Sequence, residues 1–323
     1  MLVKRPSYRV LFLVPPEVHL LDLGGPVHVF YEAKSLNADI TLHYLSVTEG
    51  QEEQSSAGLV ISNLKKFNQY SLIENDWLII PGLESHLLFD RNFIKEQHEF
   101  FIWLNDQSDR GAKICSVCTG AYMLGEAGVL NGKQCTTHWK YIDDFKKRYP
   151  LVTVHDDRLF VKDQNVYSSA GVSSGIDLSL YLLEEVYGPL FATKVAKEIV
   201  IFLRRTENDP QLSVFLQYRN HIQNRVHKMQ DYLAQHLEKK VSIEELAEEM
   251  HMSSRNMTRL FKKTTGITIG NYIDKLRVEK AVKLLSDGEK VEVTALSCGL
   301  NSSNQLRTLL KKYASALPRE LLL

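Results

Sequence analysis

The pentapeptide that decides the fold of the first half of the chain is Ser116-Val117-Cys118-Thr119-Gly120. An apolar run ends at Val117 and a helix-like stretch begins at Ala121, so the cysteine stands in a strand-to-helix turn. Small residues flank the cysteine two positions before and after it, as a tight turn requires, and the pattern is typical of a nucleophile elbow. The thiol would stand at a helix N-terminus, where its pKa is expected to be lowered. On the pentapeptide alone, a buried and inert cysteine is an equal alternative.

Strand-like and helix-like stretches alternate around this turn. Helical periodicity is clearest over residues 91–106. Short apolar runs that predict buried strands are Tyr8–Val14, Thr41–Val47, Trp77–Ile80 and Ala112–Val117. Such alternation predicts an α/β domain with a parallel sheet covered on both faces by helices. Ligands of such sheets bind outside the carboxyl ends of the strands, where Cys118 is expected to stand.

Strand signals almost stop after about residue 173, and helical periodicity replaces them. One helical face is marked by Ile222, Val226, Met229, Leu233 and Leu237. A capping box at Ser242–Glu245 predicts the start of another helix. Residues 241–266 are typical of a helix-turn-helix: a helix to residue 250, a turn over 251–253, and a helix over 254–265 closed by Gly266. An ordinary packed helical hairpin is the alternative for this segment.

Charge is distributed unevenly although the chain as a whole is neutral. Residues 1–221 hold 22 Lys and Arg against 27 Asp and Glu, whereas residues 222–323 hold 17 against 12. Within residues 253–283 eight basic residues face two acidic ones. An acidic larger part joined to a basic tail raises the expectation of nucleic-acid binding at the C-terminal end.

Length and composition exclude several classes of protein. With 323 residues, 44% hydrophobic and 24% charged, the chain is typical of a globular protein of about two domains. No apolar run reaches the roughly 18 residues of a membrane helix, and the N-terminus lacks a signal peptide's apolar segment. We therefore expect a cytoplasmic protein without a membrane partner. Its four cysteines are too few for a disulfide scaffold.

Cys115 and Cys118 also form a C-x-x-C pair, which leaves thioredoxin-like redox chemistry open. Cys115 is expected inside a strand, however, whereas the first cysteine of a thioredoxin starts the helix. The 11 histidines are scattered, without ligand spacing beside acids or cysteines, so no metal is expected. Glu126 after Gly125 argues against a phosphate loop. No cofactor is predicted.

The segment from Val117 through Thr136-Thr137-His138-Trp139 resembles the PfpI-type branch of the class I glutamine amidotransferase-like superfamily. Leu20–Pro26, Pro81-Gly82 and Ser169–Asp177 agree with that branch in the same order, and the resemblance runs from about residue 8 to 205. It implies a flavodoxin-like domain with Cys118 as nucleophile, Asp22 as the acid beside it and His138 nearby. It also implies an oxyanion-type pocket formed by the backbone N–H groups of Leu83 and Thr119. The ligand-binding residues implied are Asp22, Gly82, Leu83, Cys118, Thr119 and His138.

Residues 225–322 resemble the AraC-type DNA-binding domain, in which a long helix, here about 268–286, joins two helix-turn-helix units. The second unit would span Val291 to Leu321, with its recognition helix over Ser302–Tyr313. Arg259 occupies a base-contacting position, and Lys311 and Lys312 are expected to hold phosphates. The DNA-binding residues implied are Ser254, Arg255, Thr258, Arg259, Lys262 and Lys263 in the first unit, and Ser303, Asn304, Arg307, Thr308 and Lys311 in the second.

Together these patterns predict a ligand-sensing domain over 1–205, a linker over 206–224 and an all-α double helix-turn-helix domain over 225–323. The expected function is that of a transcriptional regulator that senses a small metabolite, and catalysis is not expected. Double-stranded operator DNA, a small-molecule effector, RNA polymerase and a second copy of the chain are the expected partners. A cysteine-based redox or electrophile sensor, and an active cysteine-dependent hydratase or hydrolase, are the alternatives.

Overall fold

The structure is a computed structural model that describes residues 7–201, 205–207, 211, 213–219, 221–314 and 316–321. Part of the predicted linker, residues 208–210, 212 and 220, lies outside the described residues, as does the N-terminal hexapeptide. The chain divides into two compact units, residues 1–211 and 212–323. The boundaries expected from the sequence, at 205 and 225, stay predictions.

A mixed, mainly parallel sheet forms the centre of the first unit. Within the described ranges it has seven strands in the order β10-β11-β7-β6-β1-β2-β5. The strands are β1 (Tyr8–Leu13), β2 (Ile40–Ser46), β5 (Lys65–Lys66), β6 (Trp77–Ile80), β7 (Lys113–Val117), β10 (Phe160–Asp163) and β11 (Val166–Ser169). The two-stranded pairs β3 (Glu52–Gln54) with β4 (Val60–Ser62) and β8 (Gln134–Cys135) with β9 (Thr153–Val154) lie outside this sheet.

The four strands predicted from apolar runs are the neighbouring strands β2, β1, β6 and β7, and all pair in parallel. Val10 lies opposite Trp77, and Ile80 lies opposite Ser116, so the carboxyl ends of β6 and β7 meet beside the cysteine turn. The sheet is not wholly parallel as expected, because β10 runs antiparallel to β11 at the edge. The predicted flavodoxin-like fold class is confirmed.

Helices cover both faces of the sheet in the first unit. They are α1 (Leu20–Ser35), α2 (Ser85–Phe89), α3 (Arg91–Glu96), α4 (His98–Asp109), α5 (Gly120–Glu126), α6 (Ile142–Arg148), α7 (Ser174–Tyr187) and α8 (Pro189–Glu198). One apolar core joins Val10 and Phe12 to α1 and α7, and a second joins Leu11 and Leu13 to α4 and α5. The single helix predicted over 91–106 is wrong in one respect: Gln97 leaves helical geometry and separates α3 from α4.

The second unit is all-α in its described residues, as predicted. Its helices are α9 (Val214–Gln217), α10 (Asn224–Gln235), α11 (Ile243–Glu249), α12 (Ser254–Thr265), α13 (Ile269–Ser286), α14 (Val291–Ser297), α15 (Ser303–Tyr313) and α16 (Pro318–Leu321). The capping box of Ser242 and Glu245 is present, and Gly266 closes α12 in the left-handed conformation. Ile222, expected on a buried face, is 93% exposed because α10 starts after it. None of the helices in the described ranges is both long and apolar enough to cross a membrane.

Candidate functional site

Cys118 lies in the tight turn between β7 and α5 that the sequence predicts. Its φ of +59° falls in the left-handed region, which is uncommon for a residue with a side chain and marks a strained position. The turn has no room for larger neighbours: a Cβ on Gly120 would clash with the carbonyl oxygen of Ile80, and one on Gly171 would clash with Cys118 itself. The elbow is therefore built by packing from three separate segments of the chain.

The charge state of the Cys118 thiol differs from the sequence-based expectation. Burial is the largest influence and raises the pKa of this thiol above its ordinary value, and the Asp22 carboxylate raises it further. The backbone N–H and the hydroxyl of Thr119 act in the opposite direction, but they do not reverse the shift. The expected net lowering of the pKa is wrong, because burial of Cys118, which is only 3% exposed, and the Asp22 carboxylate both raise it.

Asp22 lies in the first turn of α1 and is fully buried next to the elbow. Its Oδ1 accepts a hydrogen bond of 2.6 Å from the backbone N–H of Val172. A Cβ on Gly82 would lie 2.5 Å from Asp22 Oδ2 and 3.1 Å from Cys118 Cβ, so the carboxylate and the thiol share the space over this glycine. The structure thus brings Asp22, Gly82 and Cys118 together.

His19 is a member of this site that sequence reasoning missed. It is the N-cap residue of α1, and its Nδ1 lies 3.4 Å from Asp22 Oδ2 while its Nε2 lies 3.6 Å from Glu84 Oε1. Asp22 is the main cause of a raised pKa at His19; burial opposes it, and Glu84 adds to it. The prediction that the histidines lack ligand spacing beside acids is wrong, because His19 lies beside both Asp22 and Glu84. His19-x-x-Asp22, at the spacing of one helical turn, was the available signal.

His138 lies outside the group formed by His19, Asp22 and Cys118, whose ligand atoms are all within 4.8 Å of one another. Its Nδ1 accepts a hydrogen bond of 3.4 Å from the backbone N–H of Lys140, and its ring packs against that of Trp139. Burial lowers the pKa of His138. His138 is therefore close enough for the Asp22 charge to affect its pKa, but His19 is the histidine directly beside the carboxylate.

Leu83 and Thr119 bind each other across the site. The Leu83 N–H donates to Thr119 Oγ1 at 3.2 Å, and the Thr119 hydroxyl donates to the Leu83 carbonyl oxygen at 3.1 Å. Because its amide is already used, the expected role of Leu83 as an oxyanion donor is not available in this arrangement. The Thr119 N–H interacts instead with the Cys118 sulfur, and this interaction lowers the pKa of the thiol.

In the second unit, α12 presents the basic face expected of a recognition helix. Met257 and Phe261 are fully buried, whereas Arg255, Arg259, Lys262 and Lys263 are exposed. None of these four cations forms an ion pair within the residues that the structure describes. Thr258 is half-buried, and its hydroxyl donates to the carbonyl oxygen of the likewise half-buried Ser254 at 2.9 Å. The basic side chains are free to contact a polyanion, while Ser254 and Thr258 are linked to each other within the first half of the helix.

The corresponding helix of the second helix-turn-helix, α15, is less basic. Asn304, Arg307, Thr308 and Lys311 are exposed, and Ser303 is half-buried. Arg307 Nη1 donates to Asn304 Oδ1 at 3.0 Å, and the Thr308 hydroxyl donates to the Asn304 carbonyl oxygen at 2.9 Å. The only arginine of this helix is thus engaged with its own neighbour, unlike Arg259 of α12.

Two family comparisons cover most of the chain. Residues 8–185 match the DJ-1/PfpI family, and residues 246–322 match a helix-turn-helix domain family. The fold and the elbow define an amidotransferase-like domain followed by paired DNA-binding helices. The chain belongs to the DJ-1/PfpI family and, with its AraC-type C-terminal domain, to the transcriptional regulators that combine the two.

Among curated relatives, the HTH-type transcriptional regulator CdhR of Pseudomonas aeruginosa is 31% identical over 297 residues, covering 90% of this chain and 84% of that protein. The regulator GbdR of the same species is 27% identical over 313 residues, covering 96% and 82%. Isonitrile hydratase of Pseudomonas putida is 30% identical over 182 residues, covering 56% and 73%.

Solved structures agree on the fold of the first unit. A transcriptional regulator protein of Vibrio parahaemolyticus, described as putative, superposes with a TM-score of 0.53 at 18% identity, covering 60% of this chain and all of that chain. DJ-1beta of Drosophila melanogaster superposes with a TM-score of 0.52 at 21% identity, covering 61% and 100%. At these identities the likeness establishes the fold alone.

Proposed function

We propose that this regulator binds operator DNA through α12 and α15 and responds to a small metabolite that binds at the Cys118 elbow. The observation that carries the proposal is the basic face of α12, where four exposed cations lie without ion-pair partners among the described residues. Unpaired cations repel one another in the free protein, and a DNA backbone relieves that repulsion through phosphate contacts.

The two helices divide the work of recognition. Arg259 lies on the exposed side of α12 and can pair with guanine in the major groove, while Lys262 and Lys263 suit phosphates. In α15 the Arg307 side chain is held by Asn304, so this helix contributes chiefly phosphate contacts through Lys311 and Lys312. The first helix-turn-helix therefore discriminates between DNA sequences more than the second helix-turn-helix does.

The effector site is formed by Asp22, Gly82, Cys118 and Thr119. The Thr119 N–H at the start of α5 interacts with the Cys118 sulfur, and an anionic or carbonyl oxygen bound next to the sulfur would share this donor. Gly82 leaves the space that such an atom needs, because any side chain there would meet Asp22 and Cys118. His138 is half-buried and follows β8 in the chain, and it is a further candidate for contact with the effector.

The regulator acts as a homodimer at promoters, alongside RNA polymerase. An operator with two half-sites is matched by a protein with two-fold symmetry, and each chain contributes two recognition helices. A light-scattering mass of one 37.0 kDa chain at micromolar concentration, with and without DNA, would contradict the dimer.

The decisive experiment selects operator sequences from random or genomic DNA with the full-length protein and then measures affinity by fluorescence anisotropy. A thermal-shift screen of amino acids, amines and small carbonyl compounds supplies the effector, since a ligand of the folded state raises stability by mass action. We expect the effector to change operator affinity and Gly82→Ala to remove that response. Failure to select any sequence would contradict the DNA-binding role.

A second function is favoured by one observation, the strained φ of Cys118, in a chain that is 30% identical over 182 residues to an isonitrile hydratase. Such strain is common at catalytic nucleophiles. If the domain turns over an isonitrile, Cys118→Ser abolishes steady-state product formation while operator binding persists. Equal background rates for both proteins would leave the elbow as a binding site only.

A further inference from the structure

Three side chains with different metal-binding atoms converge beside the elbow. A ring nitrogen of His19, a carboxylate oxygen of Asp22 and the sulfur of Cys118 all lie within 4.8 Å of one another. Three points so placed always share a centre no farther than about 2.8 Å from each, which is 4.8 Å divided by the square root of three. Zinc binds nitrogen and oxygen at about 2.0–2.2 Å and sulfur at about 2.3 Å. Movements of less than about 1 Å would bring the three atoms to these distances.

One oxygen of the Asp22 carboxylate faces the other two members of this group. Asp22 is fully buried, and its Oδ1 is fixed by the Val172 N–H at 2.6 Å. Its Oδ2 is buried and accepts no hydrogen bond of good geometry from the described residues, while His19 Nδ1 lies 3.4 Å from it and the Cys118 thiol also interacts with the carboxylate. Buried carboxylate oxygens are normally satisfied, because leaving one without a partner is costly. A bound cation would satisfy it.

The surroundings of His19 match the outer shell of a metal site. One ring nitrogen faces Asp22, and the other lies 3.6 Å from the Glu84 carboxylate. Metal-binding histidines commonly direct their second nitrogen to a carboxylate, which fixes the ring and its tautomer. The His19 backbone N–H also donates to the Gly82 carbonyl oxygen at 2.9 Å, which anchors the start of α1 to the site.

We propose that His19, Asp22 and Cys118 form a three-ligand site for a divalent transition-metal ion of the zinc class, with a fourth position left open. The mixed nitrogen, oxygen and sulfur donor set suits zinc and disfavours magnesium and calcium, which prefer oxygen alone. On binding, the Cys118 thiol loses its proton to solvent, and the carboxylate and thiolate then balance the two positive charges. The His19 side chain is 33% exposed and provides the entry path.

The test uses the metal-free, full-length protein and zinc chloride alone as the probe. Competition with a chromophoric chelator should give one zinc per chain, and His19→Ala, Asp22→Asn and Cys118→Ser should each weaken binding by at least about ten-fold. Cobalt substitution gives a second readout: a thiolate-to-cobalt charge-transfer band should be present in the wild type and absent in Cys118→Ser. The His19 side chain is 33% exposed and belongs to neither apolar core of the first unit, so His19→Ala keeps the test valid if Cys118→Ser fails to fold.

His28→Ala and Cys115→Ala are the matched controls. His28 lies on the same helix, is 60% exposed and pairs with Glu32 on the surface, and Cys115 is a buried cysteine three residues from the elbow. Both variants should bind zinc like the wild type. Zinc binding that all three ligand variants leave unchanged, or no stoichiometric binding at micromolar zinc, would overturn the proposal. Operator affinity of the metal-free protein reports the proposed function separately.

Discussion

The elbow around Cys118 and the basic face of α12 place their functional groups in opposite ways. At the elbow, Asp22 and Thr119 are fully buried and Cys118 is 3% exposed, and the positions of all three depend on neighbouring segments. On α12, Arg255 and Arg259 extend into solvent from a helix whose other side is held by Phe261. The first site is defined by sterics and the second by charge.

This difference determines how each region should respond to substitution. At the elbow, an added methyl group meets backbone atoms that cannot move, so stability and function should fail together. On α12, truncation of an exposed side chain removes charge without disturbing the core, so binding should fall while the fold stays intact. Stability and DNA affinity, measured on the same variants, therefore separate the two kinds of site.

The largest expected effect comes from Gly120→Ala. The new methyl group would clash with the carbonyl oxygen of Ile80 and approach that of Pro81 to 2.8 Å, so the start of α5 must shift away from β6. We expect a loss of about 3 kcal/mol or more in the free energy of unfolding. Urea unfolding followed by tryptophan fluorescence measures it, since all three tryptophans lie in the first unit.

Gly24→Ala is the control for that prediction. Gly24 is exposed on α1, and a Cβ there would have no atom within 4 Å. Because alanine favours helix over glycine, this variant should gain up to about 1 kcal/mol. If Gly120→Ala were as stable as Gly24→Ala, the close packing of the elbow would be wrong.

Arg259→Ala should have the next largest effect, on operator binding and not on stability. If Arg259 contacts a base, affinity for operator DNA falls by about 1–3 kcal/mol, while affinity for random DNA falls less. Lys262→Ala should weaken both similarly, because a phosphate contact carries no sequence information. Anisotropy titrations at one fixed salt concentration give all four affinities.

Arg91→Ala provides the matched loss of one exposed arginine in the first unit. Operator and random affinities should both stay within about two-fold of the wild type, since Arg91 belongs to neither helix-turn-helix unit. An equal loss on operator and random DNA for Arg259→Ala would remove its base-reading role.

Most of the fold was predictable because it depends on local patterns. Continuous apolar runs identified β1, β6 and β7 to within one residue at each end, and periodicity with capping signals placed α12 at its observed bounds. The edge strand β10 was not predicted. It contains the polar residues Lys162 and Asp163, and its pairing with β11 depends on backbone hydrogen bonds, which side-chain patterns do not indicate.

The candidate site was predictable only in part because it is assembled from distant segments. The resemblance to the PfpI-type branch placed Asp22 beside Cys118, although the two residues are 96 positions apart in the sequence. It could not show that the Leu83 amide is taken by the Thr119 hydroxyl, or that His19 and not His138 stands beside the carboxylate. Those facts depend on which loops pair, as Val18 does with Leu83.

Alkylation of the four cysteines tests how strongly the elbow is shielded. In the presence of a chelator, Cys118 should react with iodoacetamide before Cys115, Cys135 and Cys298, which are fully buried. Burial raises the pKa of the Cys118 thiol, so little thiolate is present at pH 7, and the rate should be at least about ten-fold below that of a free cysteine and rise as the pH rises. Mass spectrometry of timed samples measures both. Equal labelling of all four thiols in the folded protein would contradict the elbow as an accessible site.

The smallest predicted effect concerns the helix that supports α12. The Ser242 hydroxyl accepts the Glu245 N–H at 3.1 Å, and the Glu245 carboxylate accepts the Ser242 N–H at 2.9 Å. Ser242→Ala removes half of this reciprocal cap and should cost about 1 kcal/mol, or about a five-fold loss of amide-exchange protection across α11. Hydrogen-exchange mass spectrometry of the full-length protein measures this loss peptide by peptide. Ser254→Ala, which leaves the cap of α12 on Ser253 in place, should change protection by less than two-fold. Because α11 packs on α12 without contributing to its basic face, operator affinity of Ser242→Ala should stay near that of the wild type. A drop comparable to that of Arg259→Ala would mean that α11 positions the recognition helix. In that case the core residues Met257 and Phe261 of α12 would not be sufficient to hold it in place.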